Sequence, residues 1–351
     1  MRILFAGSPA IAVPALESIA MMNDGGEDFV LAGLLTRADS PKGRSGRPEP
    51  TECAAAARRL FPFPILKPEK LDSAAREQAA ALKPDLLVSF AYGKIFGPQF
   101  LALFPLGGIN IHPSLLPKYR GATPIPAAIF NRETVTGITI QSLAAEMDSG
   151  DILVQEAVPL SGKETTASLS ETMAKKAAEL LPAALRGIDG GTLRATPQDN
   201  GAATYCSLIK KEDGLIDWNR TAAEIDAQIR AFDPWPLSWT MHGELPLYIL
   251  KAEVVEAGDT PVTSPVGGPL PFPETAASSG PTPCGPCSES TLTGSRALSG
   301  RVLGKDKNKG ILIQTGGGIL AVSELQYQAR KALEWKAFLN GARNFMDTRL
   351  G

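Results

Sequence analysis

The chain is poor in the residues from which metal and disulfide sites are made: two histidines, His112 and His242, and four cysteines in 351 residues. So few cysteines, at Cys53, Cys206, Cys284 and Cys287, exclude a disulfide-held scaffold in a chain this long. Cys284-Gly285-Pro286-Cys287 spells a redox tetrapeptide, but a redox pair needs a helix N-terminus after a strand to lower its thiol pKa. This one lies in a Pro, Gly and Ser-rich tract and is read as a coincidence. His112 has no second histidine near it and no cysteine at ligand spacing, so no metal is expected. Strong charge of one sign is also missing. A net charge of -2 and a pI near 5.9 exclude a protein that coats nucleic acid through a general basic surface, so any RNA contact must come from local patches. Long apolar runs are absent, and none approaches the roughly 18 residues of a membrane helix. The N-terminal run Ile3-Leu4-Phe5-Ala6 ends in turn residues rather than a cleavage site and reads as a first strand. A soluble, cytoplasmic chain is expected, with a monomer as the default. Phe5-Ala6-Gly7-Ser8-Pro9 lacks the repeated glycines of a dinucleotide fingerprint.

What is present is enough apolar residue, 44%, for at least one full core, and the length fits two domains. Short β-branched or apolar runs at 3–6, 30–35, 86–90, 108–112, 137–143 and 152–159 alternate with helical stretches at 13–22, 52–60, 73–82, 124–131 and 166–186. That alternation predicts a doubly wound α/β domain with a mostly parallel sheet over residues 1–189. Residues 190–208 carry no periodicity and are read as a linker. Residues 209–351 read as a small β-barrel domain, with strands at 247–255, 311–314 and 319–322 and helices at 222–231 and 334–339. Within it, 256–300 is dense in Pro, Gly, Ser and Thr and too poor in large apolar residues to offset its own ordering entropy. It is read as a disordered insertion between strands.

One constellation carries chemistry. Strand side chains alternate, so Asn110 and His112 share a face while Ile109 and Ile111 pack on the other, and Pro113 then ends the ladder. The carboxyl ends of strands form the ligand crevice of an open α/β sheet. The acidic turn Glu146-Met147-Asp148-Ser149-Gly150-Asp151 follows the next strand, and Asp148 is the candidate carboxylate for the imidazole. An amide, an imidazole and a carboxylate suit acyl transfer to an amine: the amide donates to the developing oxyanion, the imidazole takes the proton, and the carboxylate fixes the tautomer. The attacking nitrogen is itself the nucleophile, so no cysteine or serine is needed. Spacing alone leaves a plainer reading open, in which Asn110 and His112 satisfy backbone groups and Asp148 builds a turn.

The run Asn110-Ile111-His112-Pro113-Ser114-Leu115-Leu116-Pro117-Lys118-Tyr119-Arg120-Gly121, followed by Met147-Asp148-Ser149-Gly150-Asp151, resembles the signature of the 10-formyltetrahydrofolate-dependent formyltransferases. The resemblance covers nearly the whole chain except 256–300. It implies a Rossmann-like catalytic domain followed by a small OB-like β-barrel. It also implies a catalytic triad of Asn110, His112 and Asp148, a folate site that includes Ser114, Leu115, Leu116 and Pro117, 10-formyltetrahydrofolate as co-substrate and no metal. Lys210-Lys211-Glu212-Asp213-Gly214-Leu215-Ile216-Asp217-Trp218 and Ile229-Arg230-Ala231-Phe232-Asp233-Pro234-Trp235-Pro236 look like the C-terminal domain of the members that formylate initiator methionyl-tRNA; Trp218 and Trp235 are expected to pack in the core. Members acting on amino sugar nucleotides, or hydrolysing the formylfolate, share that module. The loop Ser40-Pro41-Lys42-Gly43-Arg44-Ser45-Gly46-Arg47-Pro48 discriminates: Arg37, Lys42, Arg44 and Arg47 against Asp39 give a local charge of +3. It is similar to the loop by which the tRNA-directed members grip the acceptor stem, with Lys42, Arg44 and Arg47 as the candidate tRNA contacts. Residues 301–351 add nine Lys and Arg against four Asp and Glu, and two basic stretches on an acidic chain fit a clamp on tRNA. Pro113 departs from the small residue often found there in those members, which leaves the triad intact. A tRNA-binding protein without catalysis is the remaining alternative, and the intact triad argues against it.

Overall fold

β1 (Arg2–Gly7) is apolar throughout its centre, with Ile3, Leu4, Phe5 and Ala6 all fully buried, as a strand covered on both faces by helices must be. It lies inside a seven-stranded sheet in a computed structural model that describes residues 1–24, 28–41, 46–60, 62–255, 298–342 and 344–351. The described chain divides into two compact units, the first made of Met1–Pro124, Thr134–Leu160 and Ser168–Cys206, the second of Ile125–Glu133, Ser161–Ala167 and Ser207–Gly351.

In the first unit β1 pairs in parallel with β2 (Val30–Leu35), and two short strands, β3 (Ser40–Pro41) and β4 (Pro48–Glu49), pair with each other antiparallel. β5 (Ile65–Leu66), β6 (Leu86–Phe90) and β7 (Gly108–His112) complete the parallel part of the main sheet. β8 (Arg120–Gly121) lies outside it, while β9 (Val135–Ser142) runs antiparallel to β7 and β10 (Ile152–Pro159) antiparallel to β9. The order β10-β9-β7-β6-β1-β2-β5 is therefore mostly parallel, with β9 reversed. The expected doubly wound architecture is what the chain adopts.

The helices of this unit are α1 (Val13–Asp24), α2 (Glu52–Ala57), α3 (Ser73–Ala81), α4 (Pro98–Leu101) and most of α6 (Thr166–Asp189), which follows α5 (Pro124–Phe130) in the chain. Their ends are set by local chemistry: Thr51 accepts from Ala54 N at 3.2 Å ahead of α2, and Asp72 accepts from Ala75 N at 3.1 Å ahead of α3. α6 buries Leu169, Met173, Ala177, Leu181 and Ala184, a stripe at helical spacing.

The aperiodic segment read as a linker does more than connect. Thr196 and Ile152 exchange backbone hydrogen bonds at 2.8 and 2.9 Å, and β11 (Tyr205–Cys206) pairs in parallel with β8. Thr204 accepts from Tyr119 N through its hydroxyl and from Arg120 N through its carbonyl, both at 2.8 Å. A single extended strap bonded to a loop through backbone and short polar side chains needs no hydrophobic period, which is why periodicity misses it.

The second unit is an antiparallel sheet of β12 (Ser238–His242), β13 (Leu245–Val255), β14 (Val302–Asp306), β15 (Gly310–Gln314), β16 (Ile319–Tyr327) and β17 (Leu333–Glu334). Its path is β12-β13-β16-β15-β14, with β17 on β16. α7 (Ala222–Ala231) and α8 (Trp335–Gly341) pack on one apolar core with Leu247, Ile249, Ile311, Ile313, Leu320, Val322 and Leu325. β16 runs to Tyr327, beyond the strand expected to stop at Val322, because register shifts against β13 around Lys251 break its alternation: Leu320 and Val322 face the core, and Leu325 returns to it one residue out of phase. Trp218 is buried and donates to Thr240 Oγ1 at 3.0 Å. Trp235 is 57% exposed, against expectation; it stands between Pro234 and Pro236 in the turn ahead of β12, not on a periodic element. The expected insertion at 256–300 falls outside the described residues up to 297, and with it Cys284 and Cys287. Among the described residues no helix is long and apolar enough to cross a membrane.

Candidate active site

The antiparallel pairing of β7 with β9 sets Asn110 opposite Gln141 and His112 opposite Thr139. Ile109 and Ile111 therefore share the other face with Ile138 and Ile140, all four buried. Both faces are covered, and one of them is polar. Asn110 and His112 stand together as the alternation requires, joined by Gln141, which the same alternation makes visible in Gly137-Ile138-Thr139-Ile140-Gln141 but which is not among the expected site residues.

The Asp148 carboxylate reaches this face from the turn after β9. Its Oδ1 accepts from Asn110 Nδ2 at 3.2 Å and Gln141 Nε2 at 3.1 Å, and its Oδ2 accepts from Gly121 N at 2.9 Å. His112 Nδ1 lies 3.6 Å from Oδ2, within ion-pair reach but longer than a hydrogen bond. The three residues expected to act together do meet. Asp148 occupies the left-handed region at φ +51°, so the turn holds a side chain where glycine is more at ease.

His112 is 4% exposed, and its Nε2 sits 2.8 Å from the carbonyl oxygen of Tyr119. A carbonyl only accepts, so Nε2 carries a proton, and Nδ1 is the ring nitrogen turned toward Asp148. A backbone carbonyl thus holds the Nε2 proton, while Asp148 lies on the Nδ1 side of the ring. Tyr119 holds its own carbonyl in place from the left-handed region at φ +61°.

Gly121 is a second partner that spacing did not show. Its φ is +112°, and a Cβ there would stand 2.2 Å from Cys206 O, so only glycine brings this N–H to the carboxylate. The third is Gln198, in the supposed linker, whose amide nitrogen lies 2.9 Å from Asp148 O and 2.6 Å from Gly150 O.

The loop 114–117 is held from below. Ser114 is fully buried and its hydroxyl donates to Lys118 O at 2.7 Å, while Thr139 Oγ1 donates to Ser114 O at 2.7 Å. Gln155 Nε2 donates to Leu116 O at 3.0 Å, and Leu116 is buried. Leu115 and Pro117 are half-buried, and Leu115 packs where a Cβ on Gly137 would come within 2.4 Å of it. The Ser114 side chain therefore supports the loop from within.

Neither described cysteine is poised as a nucleophile. Burial, with the nearby Glu52 and Glu17 charges, pushes the Cys53 thiol up to about 12, and burial with the Asp148 charge raises Cys206 to about 11. His242 belongs to the second unit, where it bonds Tyr327 through Nδ1 at 2.7 Å; burial lowers its pKa. Among the described residues no group of three or more His, Cys, Asp or Glu is arranged to hold a metal. Of the candidate tRNA contacts, Arg47 is exposed beside the β3–β4 pair that closes the base of its loop, and Lys42 and Arg44 lie outside the described residues.

A buried imidazole with a half-buried amide on the same strand and a half-buried carboxylate from the turn after β9 form a site suited to moving a proton and holding developing negative charge. Residues 1–185 match the formyl transferase domain and residues 208–343 the formyl transferase C-terminal domain. Among curated proteins, the chain is 46% identical to a methionyl-tRNA formyltransferase of Treponema denticola, over 99% of this chain and 98% of that one. It is 38% identical to one of Chloroflexus aurantiacus, over 97% of each. Among solved structures, an N-formyltransferase from Helicobacter canadensis, in complex with folinic acid and dTDP-3-aminofucose, shares the fold at a TM-score of 0.60 and 19% identity, covering 91% of this chain and 98% of that one. The chain belongs to the formyl transferase family, in the group formed by the methionyl-tRNA formyltransferases.

Proposed function

We propose that this enzyme transfers the formyl group of 10-formyltetrahydrofolate to the α-amino group of initiator methionyl-tRNA, in the cytoplasm and ahead of translation initiation. The observation that carries the chemistry is the convergence of Asn110, His112 and Asp148 on one face, with the His112 Nε2 proton held by Tyr119 O. The acceptor rests on the full-length similarity to methionyl-tRNA formyltransferases.

The attacking amine has an ordinary pKa of about 7.7 to 8.0, so a substantial part of it is unprotonated near neutral pH and only modest base assistance is required. As nitrogen bonds to the formyl carbon, the carbonyl oxygen gains negative charge and the nitrogen becomes acidic. Asn110 Nδ2 uses one N–H on Asp148 and has a second for the oxyanion. His112 Nδ1 takes the proton, and Asp148 Oδ2, 3.6 Å away, stabilises the imidazolium so formed. The folate nitrogen leaves with a proton returned through the same pair. Catalysis is then differential: the oxyanion and imidazolium exist only near the transition state, and both are met by groups already in place.

Ser114 to Pro117, the loop directly after His112, is the proposed folate-binding segment. Lys42, Arg44 and Arg47 are the proposed contacts to acceptor-stem phosphates, which gives an acidic protein a salt-dependent grip on RNA. The second unit, basic in its last 51 residues by five charges net, is the proposed tRNA-binding domain. The test is transfer of labelled formyl from 10-formyltetrahydrofolate to charged initiator methionyl-tRNA, beside His112→Ala, Arg44→Ala and a free amino sugar nucleotide as acceptor. Transfer to tRNA, lost with His112→Ala and weakened with Arg44→Ala, is the expected result; folded protein that formylates the sugar amine and not the tRNA would sink the choice of acceptor.

A further inference from the structure

Asp148 sits in a turn that does not hold itself. Its φ of +51° costs a non-glycine residue roughly 1 kcal/mol, and the strain persists only where surroundings over-determine it. Much of that determination comes from Gln198, whose Nε2 shares its two N–H groups among three acceptors, Asp148 O at 2.9 Å, Gly150 O at 2.6 Å and Gln141 Oε1 at 3.1 Å. Its other end faces Arg120, whose Nε and Nη2 donate to Gln198 Oε1 at 3.1 and 2.8 Å. Arg120 is 2% exposed, and its partners among the described residues are neutral: Gln198, Asn200 Oδ1 at 2.7 Å, and the hydroxyl of Tyr205 at 3.3 Å, with the Tyr205 ring 6.0 Å from the guanidinium. A buried cation held by amide oxygens polarises whatever it touches.

A guanidinium donates and never accepts, so it dictates which end of each amide faces which way. Gln198 must turn Oε1 to Arg120 and hence Nε2 to Gln141. Gln141, 1% exposed, must accept with Oε1 and hence present Nε2 to Asp148 Oδ1, at 3.1 Å. With Gln141 reversed, its oxygen would face the Asp148 carboxylate, and with Gln198 reversed, its oxygen would face the Gln141 amide oxygen and the backbone carbonyls of Asp148 and Gly150. We propose that Arg120 and Gln198 form a directed hydrogen-bond relay through Gln141 that aims the Asp148 carboxylate at His112, which makes Gln198 a positioning residue for formyl transfer. The relay rests on the proposed reaction for its catalytic meaning, but not for its existence.

Two substitutions separate positioning from mere support. Gln198→Met keeps the volume and removes every bond. Gln198→Glu keeps the contact to Arg120, as an ion pair, but loses the donors to Gln141 and to the turn. If the residue served only to partner Arg120, Gln198→Glu would restore activity. The relay predicts that both lower kcat about tenfold to a hundredfold while KM for folate and for methionyl-tRNA stays within about threefold. Because Gln198 acts through Gln141, the double variant Gln198→Met, Gln141→Met should be within about twofold of Gln141→Met alone. A kcat within twofold of wild type in Gln198→Glu, a change in KM alone, or losses that multiply in the double variant would each overturn the proposal. Side-chain amide exchange measured by NMR on the wild-type protein reads the relay without any reaction: the Gln141 and Gln198 amides should exchange far more slowly than that of exposed Gln78, and equal rates would also overturn it. Wild-type protein that formylates no methionyl-tRNA yet shows the protected amides would refute the proposed acceptor and leave the relay standing.

Discussion

Two strand pairs obey the same alternation and use it for opposite ends. In the second unit, β15 and β16 turn Ile311, Ile313, Leu320 and Val322 to one apolar core. In the first, β7 and β9 are covered on both faces, and His112, Thr139 and Gln141 are as closed to solvent as the isoleucines behind them, with Asn110 half-buried beside them. Burying polar groups costs free energy unless each finds a partner. The first unit therefore needs Gly121, Gln155, Gln198 and the Tyr119 carbonyl where the second needs only methyl groups. The site is a place where order is bought with hydrogen bonds, and its members should fail by losing function or geometry, whereas members of the apolar core should fail by losing stability.

The sharpest break between the two is His112→Ala. It removes the proton acceptor from a site whose frame is carried by other residues, so kcat for formyl transfer should fall by about 10³ to 10⁴. The melting temperature should move little by comparison. A variant that lost its fold together with its activity would mean the imidazole is a structural member, and the contrast between the regions would fail.

Gly121→Ala should follow in size. A Cβ there would meet Cys206 O at 2.2 Å in a backbone held at φ +112°, so the β8–β11 pair must part, at a cost of roughly 3 to 5 kcal/mol. The Gly121 N–H would leave Asp148 with it. Denaturant unfolding and the rate should fall together here, and a stable but inactive variant would show that the β8–β11 contact yields more easily than the geometry requires.

Ile313→Ala in the second unit is the matching case in the apolar core. The residue is fully buried, and truncating it leaves a cavity worth about 2 to 5 kcal/mol. Chemistry per folded molecule should persist, because no group at the site is altered. A fall in kcat measured well below the unfolding transition would show that the two regions are not separable.

These contrasts bear on what the sequence discloses. The strands and helices of the first unit are legible because their periods are clean, and Asn110 and His112 are legible because alternation puts them on one face. Asp148 is placed by its acidic turn after the next strand and by the family signature rather than by any period. Gln198 and Gly121 are invisible, since an amide in an aperiodic strap and a glycine in a short loop acquire meaning only when the chain folds back on the Asp148 turn. β16 beyond Val322 is hidden for a different reason: a bulge inverts its alternation and makes a continuous strand look finished. Trp235 misleads because a large aromatic is expected in a core, and position between two prolines overrides that preference.

The smallest effect lies at the start of α7, where the second unit uses polar groups as the first does, but at its surface. Thr221 accepts from Glu224 N at 3.3 Å, and the Glu224 carboxylate accepts from Thr221 N at 2.9 Å and from the Thr221 hydroxyl at 2.8 Å, a reciprocal cap. Burial pushes the Glu224 carboxyl up, but those hydrogen bonds, with Arg220 and Arg132 nearby, outweigh it and hold the carboxyl below its ordinary value. A carboxylate depressed in the folded state stabilises fully above its unfolded pKa of about 4.3, and the contribution disappears as pH falls through the folded value. Glu224→Ala should cost about 1 kcal/mol at pH 7, and the difference from wild type should shrink toward zero as the pH is lowered past that range. Urea midpoints of the two proteins across that range decide it: a gap that stays constant would mean that the helix loses packing rather than a charged cap, and that this surface turn follows the rule of the apolar core after all.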